Sequence, residues 1–316
     1  MYSYTLLLGF ATLSVATPTI SSSIAHSKNL LWQASSCEAG GQVSCRNTTR
    51  QSDLCCFEHP GGLLLQTQFW DTQPVTGPSD SWTIHGLWPD NCDGSFDQNC
   101  DSSRNYRNLD KLLSSQGAED VLEFMNEYWV DLDGRNEKFW EHEWSKHGTC
   151  YSTLQPSCLP EGSPKGAERS CATVPGMLFS FELTGMVDAN NQLRQALPTY
   201  QWLADAGITP SSKKTYTLSE ITNALRSASG VTPALACHGK TLNQISWYFN
   251  LKGSLIDGEF MPINTPKKGN CASSGLKYPP KVNARKVTTG GDSSFLTGAS
   301  DLVLQATSYL YELFLV

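Results

Sequence analysis

The stretch Leu63-Leu64-Leu65-Gln66-Thr67-Gln68-Phe69-Trp70 decides the fold of this chain. It begins as a continuous apolar run and ends in alternation of polar and apolar side chains, which predicts a strand in the core. A second strand, with the sequence WTIHGLW, is predicted over residues 82–88 and stops at Pro89. A loop rich in Gly, Asp and Asn follows from Asn91 to Asp101. This half of the chain therefore contributes two core strands.

The rest of the chain mixes helices with further strands. Strands are predicted over Ile245–Lys252 and Leu255–Met261, joined near Gly253. Asn136 and Gly148 are the expected cap and stop of one helix. Apolar spacing and helix-start signals predict the helices Leu109–Trp129, Asn136–His147, Pro175–Asn191, and one from Leu218 or Ser219 to Ala228. Because strands and helices do not alternate regularly, the expected fold class is α+β.

Composition narrows the class of protein. The chain has 316 residues, of which 39% are hydrophobic and 17% charged, as in a globular protein with a substantial core. Eleven cysteines indicate an oxidising compartment, where disulfides persist. The formal net charge of −7 excludes a protein that holds nucleic acid by broad electrostatic attraction at neutral pH. Any contact with nucleic acid must be local, or must form at acidic pH.

Both termini differ from the middle of the chain. Residues 1–16 are predicted to be a cleaved signal peptide, since an apolar run too short for a membrane ends in small residues. The sequon at Asn47 is a predicted glycosylation site of a secreted protein. Residues 282–316 are predicted to be a linker and a disordered or loosely docked tail, which is too short and too polar to span a membrane; a cleaved lipid-anchor signal is the alternative. Secretion is therefore expected.

Two short segments carry the chemistry. One is WTIHGLWP, residues 82–89, and the other is FWEHEWSKHGTC, residues 139–150. In the second segment His142, Glu143, Lys146 and His147 project together from one helix face. Such crowding of ionisable groups serves no packing purpose and perturbs their pKa values, which favours an active site.

Two other interpretations apply to these residues. The helix face is also compatible with a solvated surface that carries incidental Glu–Lys pairs, but Trp140 and Trp144 favour a helix packed in a cleft. His142-Glu143 also begins the zinc-protease pattern, whose ligands lie at i and i+4. Position i+4 is Lys146, and His147 lies about 140° around the helix from His142, so a single-helix zinc site fails on geometry.

Both segments resemble the active-site motifs of the ribonuclease T2 family, the acid ribonucleases of fungi, plants and animals. The resemblance covers roughly Leu31 to Lys281, and it includes PTYQWL at 198–203 and GITPS at 207–211. It implies one catalytic domain over residues 31–281, with an antiparallel-type central sheet flanked by helices and stapled by disulfides. It also implies a secreted protein or one in the vacuole or lysosome lumen.

The resemblance implies an endoribonuclease that cleaves single-stranded RNA through a 2′,3′-cyclic phosphate. The RNA's own 2′-hydroxyl is the nucleophile, so no metal or cofactor is expected and DNA is inert. By resemblance His147 is the base, His85 is the acid, His142 holds the phosphate, and Lys146 and Glu143 stabilise the transition state. The base and the acid remain exchangeable. A monomer with low base specificity and an acidic pH optimum is expected.

Base recognition is implied in the same way. Trp88 and Phe96 resemble the aromatic positions that stack a base, and Phe96 replaces the tyrosine of some relatives. Asp90 lies where some fungal members accept a hydrogen bond from a purine amino group. Gln68 and Phe139 are expected to line a second base site. The structural alternatives are core packing for Trp88 and Phe139 and a turn for Asp90.

The cysteine pattern also resembles the fungal framework, although sequence alone leaves the connectivity open. Cys171 is left over, either as a free thiol or paired outside the chain. The bond between Cys100 and Cys150 would tie the loop after the first motif to the end of the catalytic helix. The pairs implied by the resemblance are Cys37–Cys56, Cys45–Cys92, Cys55–Cys158, Cys100–Cys150 and Cys237–Cys271.

A protein that keeps this fold without turnover, for binding or signalling, is the main alternative from another functional class. A silent relative would be free to lose the ionisable residues of the two motifs. All of them are present, namely His85, His142, Glu143, Lys146 and His147. The sequence therefore favours an enzyme.

Overall fold

The computed structural model describes residues 37, 41–46, 51, 53–158 and 175–282. The predicted signal peptide, the sequon at Asn47, Cys171 and residues 283–316 of the predicted tail lie outside the described residues. Among the described residues, no helix combines the length and the apolar character that a membrane crossing requires.

A seven-stranded sheet forms the centre of the fold. The main strand order is β2-β1-β5-β7-β3, and β4 and β6 also pair with β5. All pairs are antiparallel except β5 with β7. The strands are β1 Leu63–Phe69, β2 Thr83–Asp90, β3 Thr215–Tyr216, β4 Ala234–His238, β5 Thr241–Lys252, β6 Glu259–Ile263 and β7 Leu276–Lys277. The expected antiparallel-type α+β fold is confirmed.

Six α-helices accompany the sheet in the described part of the chain. Thr217 begins the last of them through a capping box with Glu220, and Gly230 ends it in the left-handed conformation. The helices are α1 Leu109–Ser115, α2 Glu119–Tyr128, α3 Asn136–Lys146, α4 Pro175–Ala196, α5 Thr199–Asp205 and α6 Leu218–Ser229.

Several predicted boundaries were wrong for the helices. The predicted helix over 109–129 is two helices, because the chain turns at Gly117, whose φ is +74°. Asn136 is the first helical residue and not the cap; its side-chain oxygen accepts a hydrogen bond from the Asp131 N–H. Gly148 does not end the helical path, which continues as a 3₁₀ turn over Gly148–Cys150. The fourth helix runs to Ala196, five residues beyond its predicted end.

Strand boundaries also differ. β2 continues through Pro89 to Asp90, because β2 lies at the end of the strand order, where a residue without an N–H is tolerated. β5 begins at Thr241, four residues before the prediction, and pairs along its length with β4, β1 and β6. The strand predicted over Leu255–Met261 begins only at Glu259.

The two faces of the sheet have different roles. Leu64, Ile84 and Leu87 belong to the main hydrophobic core together with residues of the helices. Leu63, Leu65 and Tyr248 face the other way and form a smaller cluster with Trp88 and Ile263. Side chains alternate between faces along a strand, so the odd-numbered residues of β1 and their partners in β2 form the second face.

Within the described residues, five disulfides fasten loops to this framework, and they join the pairs that the resemblance implies. Cys100–Cys150 connects the loop after β2 to the turn after α3. The others are Cys37–Cys56, Cys45–Cys92, Cys55–Cys158 and Cys237–Cys271.

Candidate active site

A β-bulge in β2 places His85. Thr67 of β1 pairs with Gly86 while Gln68 pairs with Ile84, so His85 is the extra residue. Bulges of this kind redirect a side chain. The imidazole of His85 stacks on Phe69, with ring centroids 4.0 Å apart, on the second face of the sheet. His85 is only 7% exposed.

A chain of two indole N–H groups holds the backbone of the bulge. The Trp129 Nε1–H donates to the carbonyl oxygen of His85 at 2.7 Å. The Trp140 Nε1–H in turn donates to the carbonyl oxygen of Trp129 at 2.6 Å. All three groups are buried, where a lost hydrogen bond is costly. Trp129 and Trp140 therefore position the backbone of His85.

Glu143 connects the strand to the helix. Its Oε1 lies 3.4 Å from Nε2 of His85, and its Oε2 accepts a hydrogen bond of 2.8 Å from the Trp88 Nε1–H. The carboxylate is 1% exposed. Gly86 provides the space for this contact, because a Cβ atom there would overlap both Oε2 of Glu143 and Nε1 of Trp88. The carboxylate is thus placed to orient the imidazole of His85.

His147 lies at the end of α3, and its ring stacks on Trp88 with centroids 4.8 Å apart. The ring of Trp88 also meets His85 edge-on at 4.8 Å, so Trp88 contacts both imidazoles. The backbone beyond His147 is held by the buried guanidinium of Arg104, which donates to the carbonyl oxygens of Thr149 and Leu154. These contacts fix the helix end relative to the strand.

His142 and Lys146 are half-buried and lie one turn apart on α3, the helix that carries Glu143 and His147. The backbone carbonyl of Lys146 accepts a hydrogen bond from the Asn99 N–H at 2.9 Å, which ties the loop after β2 to α3. The structure thus brings His85, Glu143 and His147 together and supplies two more basic side chains from the same helix.

The predicted base-binding residues separate into three groups. Phe96 lies 6.4 Å from the ring of His147, and Phe139 stacks 5.9 Å from the ring of His85. Asp90 ends β2 and forms a backbone bridge with Phe96. Gln68 is not brought to the site. It lies on the core face of β1, and its amide group is hydrogen-bonded to Thr199.

Asp90 is buried beside the site, with 5% of its surface exposed. Burial raises the pKa of its carboxyl group to about 7, although the nearby charge of Lys267 acts in the opposite direction. The burial of Tyr248, together with the charge of Asp90, raises the pKa of Tyr248 to about 12. The charge of this carboxyl group therefore changes near neutral pH and not in its ordinary acidic range.

The raised pKa of Asp90 predicts a pH-dependent stability. Between pH 3.8 and about 7 the folded protein keeps a proton that the unfolded chain has released, so stability falls as the pH rises through this window. In Asp90→Asn this loss is absent. We expect the free energy of unfolding of the variant, relative to the wild type, to rise by between about 1 and 4 kcal/mol from pH 4 to pH 7.5. Urea unfolding at several pH values measures it, and parallel curves for the two proteins would contradict it.

Sequence reasoning missed three residues of the site. Phe69, Gly86 and Trp129 were assigned only to strands or to a helix. Gly86 directly after a histidine in a predicted strand was a signal, because glycine inside a strand indicates a bulge or a close approach. Trp129 gave no comparable signal, since its role is a contact to the backbone of a residue distant in sequence.

The arrangement suits acid–base chemistry. Two imidazoles contact one indole ring, and a buried carboxylate contacts one of them, so one ring can accept a proton while the other donates one. Within the described ranges, no group of three or more His, Cys, Asp or Glu residues could hold a metal ion.

Known proteins share this framework. Residues 61–263 match the model of the Ribonuclease T2 family. Ribonuclease Le2 of Lentinula edodes is 56% identical over 254 residues, which cover 80% of this chain and 100% of that protein. Ribonuclease T2 of Aspergillus oryzae is 47% identical over 78% of this chain and 84% of its own length. The crystal structure of Actibind, a T2 ribonuclease, superposes with a TM-score of 0.69 at 44% identity, over 78% of this chain and 98% of that one.

Proposed function

The chain belongs to the ribonuclease T2 family, and from this premise we propose that it cleaves single-stranded RNA by transphosphorylation between His85 and His147. Ribonuclease activity follows from the family. The reaction path is the proposal, and one observation carries it: His85 contacts the buried carboxylate of Glu143 while His147 stacks on the same Trp88 that bonds this carboxylate.

The proposed reaction uses the 2′-hydroxyl that RNA supplies. His147 accepts the proton of this hydroxyl as its oxygen attacks phosphorus, and His85 donates a proton to the departing 5′-oxygen. The P–O5′ bond breaks, and the products are a 2′,3′-cyclic phosphate and a free 5′-hydroxyl. His142 holds the phosphate, Lys146 balances the charge of the phosphorane, and Glu143 keeps His85 protonated and oriented. The reverse assignment of His85 and His147 is the competing form of this mechanism.

Two base positions follow from the same geometry. The catalytic residue that accepts the 2′-hydroxyl proton must lie beside the nucleoside that carries this hydroxyl. Trp88 stacks on His147, Phe96 lies 6.4 Å from the same ring, and Asp90 pairs with Phe96, so we assign to these three residues the nucleoside 5′ of the scissile bond. Phe139, next to His85, is assigned to the nucleoside on the 3′ side.

The proposed setting is acidic. Carboxylates neutralise and histidines become charged at low pH, which offsets the net charge of −7 against RNA. We therefore propose an acidic pH optimum. From the family and the sequence we further propose low base specificity and a secreted or vacuolar monomer that is glycosylated at Asn47.

Cleavage of RNA at graded pH tests this function. We expect a bell-shaped rate profile centred below pH 7, because one histidine must be neutral and the other protonated. Addition of EDTA is expected to leave the rate unchanged. DNA of the same sequence, which lacks the 2′-hydroxyl, is expected to stay intact.

Product analysis on a dinucleotide completes the test, with a 2′,3′-cyclic phosphate as the expected first product. A 5′-phosphate product, or a rate that is lost with EDTA, would contradict the mechanism. RNA that is bound but not cleaved at any pH would favour the silent binding protein instead.

A further inference from the structure

A compact turn over residues 91–96, here called the 91–96 turn, follows β2 and carries two of the proposed base-binding residues at its ends. The Asn91 N–H donates to the carbonyl oxygen of Ser95 at 2.8 Å, and the Gly94 N–H donates to that of Asn91 at 2.7 Å. Asp90 and Phe96 face each other across this turn in a backbone bridge. The position of the turn therefore sets the distance between the carboxyl group and the aromatic ring.

Two anchors fix the turn from outside. One is the disulfide between Cys45 and Cys92. The other is Lys267, whose Nζ donates to the carbonyl oxygen of Gly94 at 2.5 Å. The lysine stem also packs on the turn, because a Cβ atom at Gly94 would lie 2.9 Å from its Cε atom. Lys267 is half-buried in this contact.

The loop that carries Lys267 is itself held in place. The Thr265 N–H donates to the carbonyl oxygen of Thr232 at 2.8 Å, and the Thr232 N–H donates to Oδ1 of Asn264 at 2.9 Å. The Lys267 N–H donates to Oγ1 of Thr265 at 3.2 Å. The lysine therefore reaches from a fixed loop next to β4 and β6 to the turn after β2.

The charge of Lys267 acts on the pocket as well. It lowers the pKa of both Asp90 and Asp93 relative to what burial and hydrogen bonding alone would give. The charge of Asp90 also acts on Tyr248 and Tyr151, whose pKa values are raised first by burial and further by this carboxylate. A single ammonium group thus holds the backbone of the turn and favours the anionic form of the carboxyl group in it.

We propose that Lys267 is a positioning residue that keeps the 91–96 turn closed on the base beside His147, and so sets the preference of the enzyme for that base. The inference rests on the proposed function, since it assumes that Asp90 and Phe96 contact a nucleobase. A lysine in this role affects the binding of the base, whereas a lysine that only attracts RNA affects all substrates equally.

Steady-state kinetics on dinucleotides separates these roles. The substrates are ApU, GpU, CpU and UpU, and the variants are Lys267→Met, Lys267→Arg and the matched control Lys268→Met, which removes the neighbouring exposed lysine. For Lys267→Met we expect KM to rise at least fivefold for the dinucleotide whose 5′ base the wild type prefers. We expect kcat to stay within twofold of the wild-type value, and the preference for that base to weaken correspondingly. Lys267→Arg should retain a KM close to that of the wild type, and Lys268→Met should have the wild-type kcat and KM.

Three results would overturn the inference. They are unchanged kinetics in Lys267→Met, an equal rise in KM for all four substrates, and a loss in kcat with unchanged KM. If the wild type cleaves the dinucleotides and Lys267→Met gives one of these results, only the inference fails. If the wild type cleaves none of them, the proposed function fails together with it. Urea unfolding of each variant identifies a loss that comes from instability of the whole fold.

Discussion

Replacing His85 or His147 with phenylalanine is expected to lower kcat on RNA by about 10²–10⁴-fold, the range typical of a lost general acid or base. Phenylalanine preserves an aromatic ring in each place, so it can still stack on Phe69 or on Trp88. What it removes is proton transfer. We therefore expect kcat to fall far more than KM changes, as measured by initial rates on RNA at acidic pH.

The pH profiles of the two variants assign the roles. The variant that lacks the base should lose the rise in rate on the acidic side of the bell, and the variant that lacks the acid should lose the decline on the alkaline side. If His147 is the base, His147→Phe shows the first change. The double variant should be about as slow as the slower single variant, because the two residues act in one reaction.

A histidine outside the site provides the control. His238 is exposed at the end of β4, and His238→Asn is expected to keep the wild-type rate. Cleavage of RNA by His85→Phe at the wild-type rate would show that His85 has no part in the mechanism. Additive losses in the double variant would indicate that the two histidines act in separate steps.

Local chain geometry explains what the sequence predicts well. His142 lies one helix turn from Lys146, and Glu143 lies one turn from His147, because a spacing of four residues nearly repeats with the helix turn. The strand β1 was equally predictable, since its pattern reflects burial. The α+β class follows from the same signals. These features depend on neighbours in the sequence, and no tertiary contact is needed to infer them.

The rest of the site depends on contacts that the sequence does not specify. The bulge at His85 arises from the pairing of β2 with β1, so simple alternation does not place its side chain. Gln68 was expected in the site from the family resemblance, but alternation puts it on the core face, where the Thr199 hydroxyl donates to its amide oxygen. Lys267 lies far from both motifs and reaches the 91–96 turn only in the folded chain.

Substituting Gly86 with alanine is expected to lower kcat about 100-fold or more. The added Cβ overlaps the atoms of the Glu143–Trp88 hydrogen bond, so at least one of these side chains must move. Since Glu143 contacts His85 and Trp88 contacts both imidazoles, the movement changes the distance between the proposed acid and the proposed base. A displacement of about 1 Å at a reacting centre costs about 10²-fold in rate.

If overpacking alone caused the loss of kcat in Gly86→Ala, an added Cβ atom elsewhere in the core would cause a similar loss. A second glycine tests this explanation. Gly185 lies in α4, where an added Cβ would meet Ile256 at 3.1 Å, far in sequence from both motifs. In Gly185→Ala the contact with Ile256 is offset by the better helix propensity of alanine, so we expect a change of no more than about 1–2 kcal/mol in the free energy of unfolding and a wild-type kcat.

A double variant tests the cause of the loss in Gly86→Ala. Trp88→Phe removes the indole nitrogen that the new Cβ would overlap, so Gly86→Ala should cost less in kcat in that background than in the wild type. Equal losses in both backgrounds would mean that the collision is with Glu143 alone. A wild-type kcat in Gly86→Ala would show that the contact between Glu143 and Trp88 is not required to hold the two histidines in place.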